Sequence, residues 1–577
     1  MRNRVAWVRI TGIVLGMLMF LSANYARSLP CGFQQFPLSQ LWKFQRIIHL
    51  IGLGVVVASM AGKYIDKWAI KIVEIIDKWL WHGRSRTWLA LWGLVLLYTI
   101  VYSGFTFYRH YSFNSTGYDL AIQDQVVWNT AHGRPFESSI EVRNYLGDHI
   151  QPYLALLALF YLLIPSPYIL LAFQSLVLAL SALPLYHLAK RKFSSPTIAL
   201  ALVFCSLAYP PLGFLNRFDF HGEVIAVPLL IAACERLDAK DLKSAVLVIA
   251  LALFAKEDIG LTIAALGLAA ALYQKEYRRF GLITAFVSAS YSLLAVLVII
   301  PMFRGEPSDT LARYQWLGDT PAKMVMTIVL HPDFVLENIV EAQRITTLLQ
   351  LLAPLAFLPL LSPRYLLPIV PALGYNFLAR NFCQPTIYCQ YMTPVIPFMI
   401  TAGVIGLYRM TTSTHCRKIM DWVWSHRLQR TGLGVSILML ATIASWTYQN
   451  PLTDNTVVPS AWLVQPNETA IREGLKLIPN DTYLVTTNAY APHLAHRRQL
   501  RILMYDQSFD QNAQTIFLNI KDLRWLMDCE SYRRYLEAAA HRGFGVLFYK
   551  DGVLLIQKGA GDIEKLQDLL DTWPGCE

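Results

Sequence analysis

The sequence predicts a mainly α-helical protein that crosses a membrane many times and ends in a small soluble α/β domain. Of its 577 residues, 55% are hydrophobic and only 15% are charged, whereas about a quarter of the residues in a soluble domain are charged. The hydrophobic residues form long blocks, such as 89–105 and 280–301, and about 20 apolar residues make a helix that crosses the hydrocarbon layer. After about residue 466, shorter strand-like and helix-like runs replace these blocks.

The first 84 residues are predicted to be an N-terminal extension with one or two spans. Residues 1–28 have a basic head and an apolar stretch, which is typical of a signal peptide or of a first span. A second apolar stretch covers 47–62. From 65 to 81, charged and apolar residues alternate at helical spacing, which favours either an amphipathic helix on the membrane surface or an ordinary linker helix.

Residues 85–449 are predicted to form the membrane domain, with eleven core spans. Basic residues outnumber acidic ones, 50 to 39, and they lie in short clusters between the spans. Such clusters mark cytoplasmic loops, and this explains the net charge of +11 better than nucleic-acid binding does. The outer side then receives loops 108–168, 216–222, 303–344 and 381–390 and everything after residue 449.

Within the first outer loop, the apolar stretch 152–164 is only about 13 residues long. Because this is too short for a span, we expect an interfacial or re-entrant helix there.

The C-terminal soluble α/β domain is predicted over residues 450–577. Strands are expected at 482–488 and 515–520, a helix at 528–541, and a hairpin at 545–558 around an Asp-Gly turn. His493 and His496 are expected on a helix as structural or surface residues, because no acidic partner lies near them in sequence. Two cysteine pairs, Cys383/Cys389 and Cys529/Cys576, are candidate disulfides if their regions face an oxidising compartment.

Charged residues concentrate where four outer segments meet the spans. In the predicted topology all four segments face one side, which permits a shared polar cavity. Ionisable residues at membrane depth are costly and are therefore functional candidates. The candidates are Asp119 and Asp124 in the first segment, Asp148 and His149 in the second, Arg217, Asp219, His221 and Glu223 in the third, and Lys256, Glu257 and Asp258 in the fourth.

Asp119 and Asp124 are the candidate catalytic residues. Asp119 is suited to act as a general base that accepts a proton from an attacking hydroxyl. The alternative is that Asp119 caps the helix that follows. Asp124 lies five residues further on, on a neighbouring face of the same helix.

The remaining candidates are assigned to substrate or metal binding. Asp148, His149, Arg217, Lys256, Glu257 and Asp258 are candidates for binding a phosphate-bearing substrate, and Asp148 and His149 could instead bind a divalent metal. The alternatives are a helix cap for Asp148–His149, an interfacial snorkelling side chain for Arg217, and a helical-hairpin turn for 256–258. Asp219, His221 and Glu223 alternate along the chain and would share one face of a strand. They are thus candidate ligands of a divalent cation such as Mg²⁺, Mn²⁺ or Zn²⁺.

Four motifs in this order resemble the DUF2079 family of bacterial membrane proteins, over about residues 85–558. Two later pieces fit as well, Q-Y-x-x-P-V-I-P at 390–397 and A-P-H-L-A-H-R at 491–497. The four motifs are Y-D-L-x-I-x-D-Q-x-x-W-N at 118–129, G-D-H-x-x-P at 147–152, F-D-F-H-x-E at 218–223 and A-K-E-D-x-G-L at 255–261.

The layout of this family is similar to that of the GT-C glycosyltransferases. Those enzymes take a sugar from a polyprenyl-phosphate carrier at the extracytoplasmic face of the membrane, and they carry an essential acidic residue in the first outer loop. The resemblance implies this role for Asp119, a polyprenyl-phosphate-linked sugar donor, an unidentified acceptor, and a place in the bacterial plasma membrane. The chain departs from the GT-C pattern in one respect, because Asp119 is followed by Leu120 where an Asp-Glu pair is common.

The leading hypothesis is therefore an inverting transfer of a sugar from a lipid carrier. A transporter or flippase for lipid-linked or polar solutes is the main alternative, with the same charged residues as its binding site. Transporters commonly contain internal repeats, and we find none in this sequence. A non-catalytic scaffold or sensor is a third class, but it gives no reason for four charged motifs on one side.

Overall fold

The computed structural model describes residues 71, 74–79, 84–140, 143–305, 309–413, 427–454, 462–504, 508–524 and 528–573. The two apolar stretches expected before residue 63, most of the expected amphipathic helix at 65–81, and Cys576 lie outside the described residues.

The described chain is mainly helical, and its β-structure lies almost entirely at the C-terminal end. Helices in the first half are α1 Arg84–Tyr111, α2 Ile122–Ala131, α3 Leu154–Tyr161, α4 Pro167–Leu180, α5 Ala182–Phe193, α6 Pro196–Leu207, α7 Pro210–Arg217, α8 Ala226–Asp238, α9 Leu242–Leu253, α10 Ile259–Tyr273 and α11 Arg278–Leu294. The second half contains α12 Ile300–Arg304, α13 Pro321–Leu330, α14 Pro332–Ile339, α15 Ala342–Leu352, α16 Pro363–Leu366, α17 Val370–Leu378, α18 Ile396–Thr412, α19 Arg427–Tyr448, α20 Glu468–Lys476, α21 Cys529–Ala540 and α22 Ile563–Asp571.

Among the described residues, four helical segments are long and apolar enough to cross a membrane. They are Ser85–Tyr111, Pro167–Phe193, Lys275–Arg304 and Thr431–Tyr448. The bent pair α6 and α7, which meet at 48°, makes a fifth if it is counted as one span. Large apolar side chains on these helices are exposed, as expected of a lipid-facing surface: Leu97 is 60% exposed and Phe286 74%.

The eleven spans expected from the sequence remain a prediction. By length and composition the described helices give four or five. Breaks within apolar blocks account for much of the difference, because proline ends a helix that the hydropathy pattern would continue. Between Leu352 and Val370, for example, four prolines accompany short helical pieces.

The apolar stretch at 152–164 forms α3, a helix of eight residues. Eight residues rise about 12 Å, so the expectation of a helix too short to span is confirmed. Its apolar side chains Leu156, Leu159 and Phe160 are 57–63% exposed, whereas Leu157 and Tyr161 on the other face are buried. This pattern suits a helix lying at a membrane surface.

The C-terminal segment folds around a five-stranded sheet in the order β4-β3-β5-β7-β6. Its strands are β3 Leu484–Thr487, β4 Leu500–Leu503, β5 Thr515–Asn519, β6 Phe544–Lys550 and β7 Val553–Lys558, while β1 Glu137–Ser138 and β2 Arg143–Asn144 form a separate small pair. β3 is parallel to β4 and β5, and β7 is antiparallel to β5 and β6.

The strands, the helix α21 and the hairpin expected from the sequence are confirmed. The hairpin turns at Asp551 and Gly552, whose φ angles are +49° and +81°, as a tight two-residue turn requires. Asp528 caps α21 by accepting a hydrogen bond from the backbone amide of Ser531 at 2.6 Å.

Two apolar cores cover the two faces of this sheet. On one face, Val485, Ile516 and Ile556 pack with the helices of the C-terminal segment. On the other face, Leu484 and Phe517 belong to a core that also contains Leu120 of the first outer loop. Because this core is shared, the C-terminal segment is packed against the residues that follow α1.

Candidate functional site

The centre of the site is Asp119, on a single π-helical turn, Gly117–Ala121, that leads into α2. Its Oδ1 lies 3.0 Å from Nε2 of His221, and its Oδ2 accepts a hydrogen bond from the Thr116 hydroxyl at 2.7 Å. The Asp119 side chain is 21% exposed. It does not cap the turn, whose preceding residue is Thr116, so the carboxylate is oriented by two partners and still accessible.

His221 is positioned by its backbone and by Asp119. Its backbone amide donates to the side-chain oxygen of Gln174 at 2.9 Å, and its ring stacks on Phe218. Burial acts to lower the pKa of His221, but the hydrogen bond to Asp119 and the charges of Asp119 and nearby acidic groups raise it above its ordinary value. A raised pKa favours an imidazolium that stabilises the negative charge of Asp119.

Asp219 forms a buried ion pair with Arg109, at the end of α1. Its second oxygen accepts a hydrogen bond from the backbone amide of Thr116 at 2.8 Å and lies 2.7 Å from the Thr116 hydroxyl, whose single proton it shares with Asp119. Asp219 has a φ of +55°, a conformation that is unfavourable for a residue other than glycine. The Thr116 hydroxyl thus bridges Asp219 to Asp119.

The third and fourth motifs meet at Glu223. Lys256 Nζ lies 3.3 Å from Glu223 Oε1, and the Gln151 amide donates to Glu223 Oε2 at 3.3 Å. Burial acts to raise the pKa of Glu223, but Lys256 and two nearby histidines outweigh it and lower this pKa. Burial likewise opposes the charge of Lys256, yet Glu223 and the neighbouring carboxylates raise the pKa of Lys256. Both groups are therefore charged at neutral pH.

The second and fourth motifs meet through His149 and Glu257. His149 Nδ1 lies 3.0 Å from Glu257 Oε1, and Glu257 Oε2 accepts from the backbone amide of Ile150 at 3.0 Å. Burial and Lys256 act to lower the pKa of His149, but Asp148 and Glu257 raise it to about 9. His149 is 33% exposed, so it is a cation that solvent and ligands can reach.

The other candidates lie at the edges of this network. Asp258 accepts a hydrogen bond from the Tyr375 hydroxyl at 2.7 Å. Asp148 lies 3.8 Å from Arg304. Arg217 is 1% exposed and its Nη1 lies 3.7 Å from Asp454; it is buried at the end of α7, so a snorkelling position at the surface does not describe it.

Asp124 points away from this network. Its carboxylate accepts from the Tyr161 hydroxyl at 2.6 Å and lies 3.0 Å from His496 Nε2. The side chain is 1% exposed, which favours a positioning role over direct catalysis. The interpretation of His496 as a residue without an acidic partner is therefore wrong, as is its helix, because the helical turn at 491–493 ends before it.

Asp219, His221 and Glu223 do not share a face as a strand would require. Asp219 has a left-handed backbone and Glu223 lies on a 3-10 turn, so the three side chains pair with Arg109, Asp119 and Lys256 in turn. Within the described parts of the chain, no group of three or more His, Cys, Asp or Glu side chains is arranged to hold a metal ion. The three-residue metal site expected from the sequence does not fit this arrangement.

Three important residues were not among the sequence candidates. Arg109 is 1% exposed, but in the sequence it is one more basic residue at the end of a span. Thr116 is uncharged, whereas the sequence candidates were all ionisable residues. Asn488 follows β3, and its side-chain oxygen accepts from the backbone amides of Gly117 and Tyr118 at 2.7 and 3.0 Å. No local pattern predicts this contact between residues so far apart.

The Cys383–Cys389 pairing expected from the sequence is present as a disulfide. It lies in the connection before α18, and both cysteines pack with Phe218, next to Asp219.

Comparisons with known proteins identify the family. No curated protein matches this chain. Among solved structures, 12 chains match; one is ArnT from Cupriavidus metallidurans in the apo state, with 12% identity and a TM-score of 0.44 over 82% of this chain and 98% of that chain. The family model for DUF2079, described as a predicted membrane protein, matches residues 109–555. Since this match covers well over half of the chain, the protein is a membrane protein that belongs to the DUF2079 family.

Proposed function

We propose that this protein is a GT-C-like membrane glycosyltransferase that takes a sugar from a polyprenyl-phosphate carrier at the extracytoplasmic face. The observation that carries the proposal is the environment of Asp119. Its carboxylate is partly exposed and is oriented by His221 and Thr116 at 3.0 and 2.7 Å. A base needs this combination, because it must be held in place and still reach the hydroxyl whose proton it accepts.

In the proposed reaction, Asp119 accepts the proton of the acceptor hydroxyl as its oxygen attacks the anomeric carbon of the sugar. The bond from that carbon to the phosphate oxygen breaks, and polyprenyl phosphate leaves with the bonding electrons. Attack from the face opposite the leaving group inverts the anomeric centre. His221 stabilises the negative charge on Asp119 before the proton arrives.

Cationic groups in the same set of four motifs suit the leaving phosphate. The His149 side chain is 33% exposed, and Asp148 and Glu257 hold it as a cation. Lys256 is more deeply buried and is already paired with Glu223. We therefore propose that His149 contacts the phosphate directly, while Glu257 and Asp258 orient the neighbouring groups. Fixed cations stabilise developing negative charge without reorganising during the reaction.

No step of the proposed reaction uses Asp219, His221 and Glu223 as metal ligands. A divalent cation such as Mg²⁺ or Mn²⁺ can still enter with the carrier phosphate as its counter-ion. For this reason the turnover of each protein is measured with Mg²⁺, with Mn²⁺ and with EDTA.

The test uses full-length protein in a membrane mimetic and a panel of polyprenyl-phosphate sugars. Wild type, Asp119→Asn and the control Asp319→Asn are compared for carrier binding and for release of polyprenyl phosphate. Asp319 is a suitable control because its side chain is 84% exposed. We expect Asp119→Asn to lose turnover by roughly 10²- to 10⁴-fold while carrier binding persists, and Asp319→Asn to behave as wild type.

Two results would contradict the proposal. Equal turnover by wild type and Asp119→Asn would remove Asp119 as the base. If wild type binds a carrier and moves it across a liposome membrane without cleaving it, the transporter or flippase alternative replaces the glycosyltransferase.

A further inference from the structure

A separate cavity lies where the C-terminal segment meets the ends of two spans. Its volume is about 420 Å³, within the range of small-molecule sites. His110 from the last turn of α1 and Tyr168 from the first turn of α4 line one side. His493, His496 and Arg497 line the other. We call this space the junction cavity.

The junction cavity is distinct from the Asp119 centre. Asp124 lines the junction cavity. Asp119 bonds to His221, whereas Asp124 bonds to Tyr161 and His496. The two carboxylates therefore serve different faces of the same segment.

Arg497 is the main reason to expect an anionic ligand here. It is 8% exposed, and its guanidinium donates to two backbone carbonyls of the described residues, those of Leu494 at 3.0 Å and Pro479 at 3.3 Å. Within the described residues, no carboxylate pairs with it. Burial lowers the pKa of Arg497 to about 10, so it stays charged at neutral pH. A buried charge without a counter-charge is costly, and an anion in the cavity would offset that cost.

The histidines supply further hydrogen-bonding groups. Burial acts to lower the pKa of His496, but Asp124 outweighs burial and raises this pKa, which favours a protonated ring paired with the Asp124 carboxylate on the cavity wall. Asp124 does not repel an anion strongly, because His496 and Tyr161 already neutralise and cover its carboxylate. His493 stacks on His110, with ring centroids 4.1 Å apart, and its Nε2 has no hydrogen-bond partner among the described residues.

The position of the cavity indicates what carries the anion. α1 ends at Tyr111 and α4 begins at Pro167, so the cavity is level with the ends of two apolar helices, where lipid headgroups lie. The exposed apolar face of α3 is close by, since Tyr161 of that helix bonds to Asp124. Phosphate is the anion of this layer, and an arginine binds it through charge-assisted hydrogen bonds.

We propose that the junction cavity is a second ligand site and that it binds a phosphate ester. The volume leaves room for a polar group attached to the phosphate, either a lipid headgroup or the rest of a soluble sugar phosphate. This inference does not depend on the transferase reaction at Asp119.

The experiment uses full-length protein in a maltoside detergent, which contains no phosphate. Isothermal titration calorimetry compares two probes, dihexanoylphosphatidic acid as a lipid phosphate and glucose 1-phosphate as a soluble one. Methyl glucoside is the neutral control. We expect at least one phosphate probe to bind and methyl glucoside not to bind, and the stronger probe identifies the source of the phosphate.

Variants then assign the binding to the cavity. Arg497→Gln is expected to weaken the binding of that probe by roughly tenfold or more. Arg498→Gln is the matched control, because Arg498 is the next residue and its side chain is 72% exposed. Asn480→Asp adds a negative charge at an exposed position of the lining without disturbing the fold. We expect it to weaken binding by about threefold.

Two results would overturn the proposal. One is that wild type binds neither phosphate probe. The other is that the Asn480→Asp variant, and Arg497→Gln where it folds, bind as tightly as wild type. Asp119→Asn is expected to bind the probe as wild type does. Phosphate binding at the junction cavity can therefore be interpreted even if the glycosyltransferase proposal fails.

Discussion

The side chain of Asn488 caps the helical turn that begins at Gly117. The Gly117 amide donates to the Asn488 side-chain oxygen at 2.7 Å and to its backbone oxygen at 2.8 Å. A Cβ at position 117 would lie 2.5 Å from Ile502 and 2.9 Å from Ala491, so only glycine allows this approach. The C-terminal segment thus forms part of the support for Asp119, two residues further on.

Asn488→Ala is expected to lower turnover more than substrate binding. Removing the side-chain oxygen takes one acceptor from the amides of Gly117 and Tyr118, whereas the Asn488 backbone oxygen still accepts from Gly117. The loss costs about 1 kcal/mol and lets the Asp119 turn shift. We expect kcat to fall by roughly tenfold or more, since catalysis is sensitive to small displacements of a base, with KM little changed. Steady-state kinetics measure both.

The control for this variant is Asn512→Ala, an exposed asparagine in the same segment. It should leave both constants as they are in wild type. A rise in KM with kcat unchanged, or equal effects of the two variants, would contradict a positioning role for Asn488.

The Arg109–Asp219 ion pair is expected to be important for stability. The two side chains are 1% and 3% exposed, so Arg109→Met leaves a buried carboxylate without its counter-charge. Breaking a buried pair in this way costs about 3–5 kcal/mol. The free energy of unfolding, measured by chemical denaturation in detergent, should fall by about this amount.

The exposed pair Lys323–Asp319 provides the comparison. Its side chains are 63% and 84% exposed, and such pairs contribute at most about 1 kcal/mol. Lys323→Met should therefore change stability little. Similar losses for the two substitutions would show that Arg109 is not a buried partner of Asp219.

The His149–Glu257 pair predicts a defined pH dependence of stability. The pKa of His149 is raised from 6.5 to about 9, so its contribution is complete below pH 6.5 and is lost as the pH rises through 9. The pKa of Glu257 is lowered from 4.5 to about 2, because His149 and Lys256 outweigh burial, so its contribution is complete above pH 4.5 and is lost as the pH falls through 2. Both are complete between pH 4.5 and 6.5.

Melting temperatures of wild type and His149→Gln across this range measure the effect. The difference between them should be largest between pH 4.5 and 6.5 and should shrink towards pH 9. His132→Gln replaces an exposed histidine of the same outer region and serves as the control. A difference that grows from pH 6.5 to 9 would contradict the assigned pairing.

The Cys383–Cys389 disulfide gives a test of the predicted topology. A structural disulfide persists in an oxidising compartment and not in the cytoplasm. If the 381–390 loop faces outward, mass spectrometry of protein alkylated in intact bacteria should recover the two cysteines as a disulfide-linked peptide. Cys205 and Cys234, which are free and buried, should become alkylated only after unfolding. Alkylated Cys383 and Cys389 in intact cells would place the loop on the cytoplasmic side.

Charge and hydropathy predicted a topology that permits the four charged motifs to meet. Basic clusters assigned them to one side, and contacts such as His221–Asp119 and Lys256–Glu223 join them. The partners of those motifs could not be predicted, because they depend on long-range packing. His496 meets Asp124 across 372 residues of sequence, and no local pattern relates the two.

Local backbone geometry limited the prediction in another way. The alternation of Asp219, His221 and Glu223 indicated a strand, but Asp219 adopts a left-handed conformation that its contacts with Arg109 and Thr116 stabilise. The Asp551-Gly552 hairpin was predictable because its turn residues carry their own conformational preference. Sequence patterns therefore predicted elements with local causes and missed those imposed by distant partners.

The distance along the chain between Gly117 and Asn488 has a consequence for the order of biosynthesis. A ribosome completes Gly117 371 residues before Asn488, so α1 and the Asp119 turn are synthesised long before their cap exists. During that interval the amides of the turn have no Asn488 to accept their hydrogen bonds, and the turn is not held in its final position. The Asp119 turn is therefore held in its final position only after the segment that carries Asn488 has been synthesised and has folded against it.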